Sequence, residues 1–215
     1  MSDSKPTSRE TIANLIANSG LTIDYLYKAL KRGLVVRSLM DEQTPVLYVL
    51  TQDLQNSIKF ILMDMGASCK AEFSVNNLYE KRFHIKNIEA SISEGYKLLY
   101  NFGKLRKKSL WKKLMKQVHE DGNSDLIAEG LGIERKLKVF GNTEIDQKLR
   151  NLTLHYDNEM IEVYKSTVLV DSEEKTMTKV LSFWGILQDV KFYTYKIDKS
   201  FKNMKSLVFS GFQVY

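Results

Sequence analysis

Three side chains in one short stretch have the chemistry to hold a phosphate and move a proton. They lie in TEIDQKLRNLTLHYDNEMIEVY, Thr143 to Tyr164, as Arg150, Asn151 and His155. A histidine titrates near neutrality and can act as general acid or base. A guanidinium stays charged and can grip a phosphate with two parallel hydrogen bonds. Phosphate chemistry asks for such groups, one to move a proton and one to neutralise the phosphate charge. Five positions on a straight α-helix correspond to about 140° of rotation, so Arg150 and His155 would not share a face. Convergence requires a distorted or broken helix, a long reach by the arginine, or a second copy of the chain. The plain structural alternative pairs Asp146 with Arg150 and His155 with Glu159, each four residues apart on a helix surface.

A second feature is electrostatic. Net charge is +6, and residues 104–116, KLRKKSLWKKLMK, hold Lys104, Arg106, Lys107, Lys108, Lys112, Lys113 and Lys116 with no acid. Without that band the chain is close to neutral, which points to a local anionic partner rather than a globally basic surface. Trp111, Tyr96, Tyr100 and Phe102 lie in or near the band, as they would in a surface that holds a nucleic-acid backbone. The same pattern also describes a solvated lysine face on an amphipathic helix whose tryptophan is core. A membrane-surface helix is the third reading of such a segment.

Other chemistry is sparse. Cys69 stands alone, which rules out a disulfide within the chain and fits a reducing compartment. It has no base or oxyanion motif beside it, so a catalytic thiol is not expected. Three scattered histidines and one cysteine do not suggest a zinc site. There is no P-loop, dinucleotide fingerprint or H-E-x-x-H, and neither metal nor cofactor is expected. His84 reads as a partly buried helix residue and His119 as an exposed one. The opening MSDSKPTSRE lacks the apolar stretch of a secretory leader, and no apolar run is long enough to span a bilayer. The expectation is a cytoplasmic, soluble protein.

Helical periodicity dominates the elements that must carry these residues. Two prolines and abundant Leu, Lys, Glu and Ile favour helix. Residues 1–7 read as disordered. Short helices are expected over Ser8 to Asn18 and from Thr22 or Asp24 to Arg32, stopped by Gly20 and Gly33, with Leu34 to Met40 extended. Thr44-Pro45 resembles a capped helix start. Val46, Leu50, Leu54, Ile58, Ile61 and Met65 then form one stripe, ended by Gly66. Another helix should begin near Ser74 or Asn76, with Leu78, Ile85, Ile88, Ile92, Tyr96, Leu99 and Phe102 as its stripe, broken or kinked at Gly103. Leu110, Trp111, Leu114, Met115 and Val118 share the next face. Asp121 to Asn142, with four glycines, reads as an irregular connection with a short helix near Leu126. Thr143 would open the motif helix, with Asp146 completing a capping box. Ser172 or Thr176 would cap a last helix carrying Val180, Leu181, Trp184, Ile186 and Leu187. Phe192 to Tyr215 reads as a strand, a hairpin or a packed tail. The fold class is therefore mostly α, an antiparallel helical bundle with a short β or extended C-terminal tail. Residues 1–43 form a helical extension and 44–215 the bundle with its tail.

Arg150-Asn151, three intervening residues and His155-Tyr156, set late in a helical chain, resemble the HEPN superfamily over roughly residues 44 to 200. That resemblance implies an α-helical bundle. It also implies one of two functions: a metal-independent endoribonuclease of a toxin, antiphage or RNA-processing system, or an inactive relative that binds RNA or a protein partner. On the enzymatic reading Arg150 clamps the phosphate, His155 is the acid or base, and Asn151 orients the histidine or a phosphate oxygen. The resemblance further implies a homodimer with two motifs facing one cleft, with RNA as ligand and a protein antitoxin among the candidate partners. The first 40 residues and the aromatic tail have no place in it. Nor does any residue earlier in the chain stand out as the auxiliary polar group that many members supply.

Overall fold

The computed structural model describes residues 6–18, 23–145 and 173–201. They form a mostly α-helical bundle: α1 (Ser8–Asn18), α2 (Ile23–Ser38), α3 (Val46–Phe73), α4 (Leu78–Leu99), a short 3₁₀ helix (Gly103–Lys108), α5 (Leu110–Glu120), α6 (Ser124–Thr143) and α7 (Glu173–Ser200). There is no strand among the described residues. Helix α3, of 28 residues, is about 42 Å long and touches α1, α2, α4, α5 and α7. Helix α7 crosses the same core and touches α1, α3, α4 and α6. Most of the expected stripe residues are what these helices bury, although Val46 is exposed and Leu50 half-buried. Leu54, Ile58, Ile61 and Met65 of α3 meet Ile88, Ile92, Tyr96 and Leu99 of α4 and Met177, Val180, Phe183 and Leu187 of α7 in one cluster. Leu78, first in its expected stripe, is exposed.

Several boundaries differ from the sequence reading, mostly at glycines. Helix α2 does not stop at Gly33 but runs on to Ser38, so Leu34 to Ser38 are helical rather than extended. Gly33 is buried against α3, and a Cβ there would overlap the Asn56 side chain. The glycine is a contact point between helices, not a terminator. Helix α3 likewise continues through Gly66 to Phe73. Its start is one residue later than expected. Pro45 occupies the cap position, while the Thr44 hydroxyl donates to Asp41 Oδ1 at 3.0 Å and accepts from the Asp41 amide at 3.1 Å. Asn77, rather than Ser74 or Asn76, caps α4 by accepting from the amides of Tyr79 and Glu80.

The largest correction concerns Asp121 to Asn142. Ser124–Thr143 is a continuous 20-residue helix, capped by Asn123. Gly130 and Gly141 are buried on it. A Cβ at Gly141 would overlap the Tyr96 hydroxyl and ring. Tyr96 in turn donates to the Leu137 carbonyl at 3.2 Å. Thr143 therefore closes α6 instead of opening a helix, and its hydroxyl donates to the Val139 carbonyl at 3.1 Å. Thr176 is not a cap either. It is buried within α7, donating to Glu89 at 2.7 Å. Phe192 to Ser200 continue α7 as helix; the rest of the expected strand or tail, 202–215, lies outside the described residues.

Polar ties set the helix pairings inside this core. Lys179 of α7 lies 3.1 Å from both oxygens of Glu89 on α4, and both side chains are largely buried. Gln52 of α3 donates to Asp198 of α7 at 3.1 Å. At the other end, Arg9 of α1 reaches Glu72 of α3 and Glu173 of α7, and Ile12 enters the core. Arg37 of α2 pairs with Asp53 of α3 at 2.7 Å.

Candidate nucleic-acid interface

The basic band is a turn and a half-exposed helix held by buried anchors. Helix α4 ends at Leu99, and Asn101 and Gly103 take positive φ values of 62° and 50°. That left-handed geometry suits asparagine and glycine. It turns the chain sharply, with Phe102 against the Tyr96 ring at 4.9 Å. The 3₁₀ helix then presents Lys104, Arg106, Lys107 and Lys108. Ser109, buried, caps α5 by accepting from the Lys112 amide at 3.3 Å. Trp111, Leu114, Met115 and Val118 of α5 are all buried, which leaves Lys113 and Lys116 outward.

The seven cations are not equivalent. Lys104, Lys107, Lys108 and Lys113 are exposed and form no ion pair among the described residues. Lys112 pairs with Glu134 of α6, which also accepts from the Tyr100 hydroxyl at 3.3 Å. Lys116 pairs with Glu120 at 3.6 Å in its own helix. The Arg106 guanidinium lies over the Tyr100 ring, 4.8 Å from its centroid, a cation–π contact. Burial, and then the neighbouring Glu134, push the Tyr100 phenol up to about 12, so it stays neutral. Structure thus assigns Arg106 and Lys112 partly to holding the band in place.

The aromatic side chains are also accounted for. Trp111, Tyr96 and Tyr100 are buried and Phe102 half-buried. Trp111 packs on Tyr193 at 5.4 Å. These rings are core, so the band presents its cations without a ring on which a base could stack. The apolar face of α5 is used inside the bundle, which removes the membrane-surface reading of this helix. No helix among the described residues is long and apolar enough to cross a membrane.

Arg150, Asn151 and His155 lie outside the described residues, as do Asp146 and Glu159. Ile145, just beyond α6, packs against the core. Cys69 is buried, and burial followed by the nearby Glu72 raises its thiol to about 12, which leaves it without a nucleophilic thiolate. His84 is half-buried; His119 is exposed, with Nδ1 2.7 Å from the Met115 carbonyl oxygen. No cluster of His, Cys, Asp or Glu among the described residues could hold a metal ion. The Glu89–Lys179 pair was not anticipated. Its one sequence trace is a lysine inside the apolar run Thr176, Val180, Phe183, where helical spacing puts position 179 on the buried side. Comparisons with family models, curated proteins and solved structures find no match to this chain.

Proposed function

We propose that this chain binds RNA along the basic band, with the bundle acting as its rigid support. The observation that carries this reading is the group Lys104, Lys107, Lys108 and Lys113, exposed on one continuous segment with no carboxylate partner among the described residues. Concentrated like charge opposes the compact state, and an anionic polymer relieves it. Backbone phosphates fit better than bases, because the nearby rings are buried. Binding should weaken steeply with salt. Four phosphate contacts to a single strand give a log–log slope of about −3. Reversing Lys104, Lys107, Lys108 and Lys113 to glutamate should lower affinity for single-stranded RNA by more than about ten-fold in fluorescence anisotropy. Lys112 is left unchanged, because its reversal would set two acids against each other at Glu134. Unaltered affinity in the reversed variant would contradict the reading.

A second reading adds cleavage. It is supported by the Arg150, Asn151 and His155 spacing in a chain whose described part is a helical bundle, as the resemblance to the HEPN superfamily implies. On this reading the 2′-oxygen attacks phosphorus and the bond to the 5′-oxygen breaks. The products carry a 2′,3′-cyclic phosphate and a 5′-hydroxyl. His155 moves one of the two protons, a second histidine from a partner copy moves the other, and Arg150 neutralises the phosphorane. Cleavage of RNA in EDTA, lost in His155→Ala, is the expected result. Equal activity in both proteins would refute cleavage and leave RNA binding standing.

A further inference from the structure

On another face of the bundle, α2, α3 and α7 enclose a cavity of about 310 Å³. That is at the lower end of the volumes of small-molecule sites, roughly 300–1,000 Å³. Its floor is aliphatic: Leu26, Ile58 and Leu62 line it and are buried. Phe192 and Tyr195 also line it and are largely exposed, as rings at an open rim would be. Two lysines, Lys59 and Lys191, also line it, together with Tyr25, Ala29 and Gln55.

The two cations decide what such a cavity would accept. Neither forms an ion pair among the described residues. The Lys59 ammonium donates to Asn56 Oδ1 at 3.2 Å, while nearby Asp198 receives the Gln52 amide. Burial lowers the basicity of Lys59; Asp198 opposes that and Lys191 adds to it. An apolar ligand alone would fill the floor and make no use of the two cations, of which Lys59 has Asp198 near enough to act on it. A cationic one would be repelled.

We propose that this cavity binds a small amphiphilic anion, an alkyl chain ending in a carboxylate. The chain would lie on Leu26, Ile58 and Leu62, and the carboxylate would sit between Lys59 and Lys191. The site is separate from the RNA-binding reading and does not depend on it. The test is calorimetric titration of the full chain with decanoate, alongside decanol and decyltrimethylammonium. Expected is saturable binding of decanoate, tighter than either control. Changing Lys59 and Lys191 together to Met should weaken it by about ten-fold or more. Ala29→Trp, which places a large ring in the cavity wall, should abolish it, with helical circular dichroism confirming the fold. Absence of decanoate binding would overturn the proposal. So would equal binding of the cationic control, or an unchanged affinity in the lysine variant.

Discussion

Glu72 shows how much a single buried charge can set the stability of one corner of the bundle. Its side chain is fully buried, and neither oxygen has a hydrogen-bond partner among the described residues. Arg9 approaches one oxygen only to 3.6 Å and is shared with Glu173 at 3.2 Å. Burial first, and then Glu173, raise the Glu72 carboxyl above its ordinary value of 4.5; Arg9 and Lys81 pull the other way. The folded state therefore binds this proton more tightly than the unfolded chain does. Between 4.5 and the raised folded value, stability contributed by Glu72 falls as pH rises, and above that window the full cost of the charge is present. Glu72→Gln should raise the Tm at pH 7, and the gain should shrink as pH falls toward about 4.5 and be absent below it. Thermal melts of both proteins across pH 4 to 7 would show it. A Gln variant that melts earlier at pH 7 would mean that the pairing with Arg9 outweighs burial.

At the scale of elements, α6 is the sharpest test of how this sequence encodes its fold. Stripes of apolar residues made α3, α4 and α5 readable, because a buried helical face must repeat at helical spacing. Helix α6 was hidden because its buried face uses Gly130 and Gly141 alongside Ile133, Leu137 and Phe140. Glycine carries a helix penalty, and the reason to accept it lies on another element. For Gly141 that reason is the Tyr96 ring of α4, and for Gly130 the Met115 and Tyr193 side chains, which occupy the space a Cβ would need. Gly33 against Asn56 hid the second half of α2 for the same reason. Gly141→Ala should consequently destabilise the protein by about 1–3 kcal/mol despite its better helix propensity, since Tyr96 is buried and tied to Leu137. Urea denaturation would measure it; a neutral or stabilising effect would show that α6 can move away from α4 at no cost. The lysine band was legible as composition. The division into cations held by Glu134, Glu120 and Tyr100 and those left outward was not, because it depends on which helix faces which.

For the whole molecule, the bundle turns one stretch of sequence into a fixed surface. Leu114, Met115 and Val118 bury one side of α5, Trp111 locks against Tyr193 of α7, and Glu134 of α6 draws Lys112 inward. What remains outside is mostly cationic, with Leu105 among the lysines, and is presented from a turn that Phe102 pins to the core. RNA bound there should cover these lysines and leave others open. Lysine acylation read by mass spectrometry, with and without single-stranded RNA, tests this most directly. Lys104, Lys107, Lys108 and Lys113 should be protected by RNA, with Lys28 and Lys31 of α2 reacting equally in both states. Protection that spares the 104–113 segment, or no protection at RNA concentrations that saturate binding, would contradict the account.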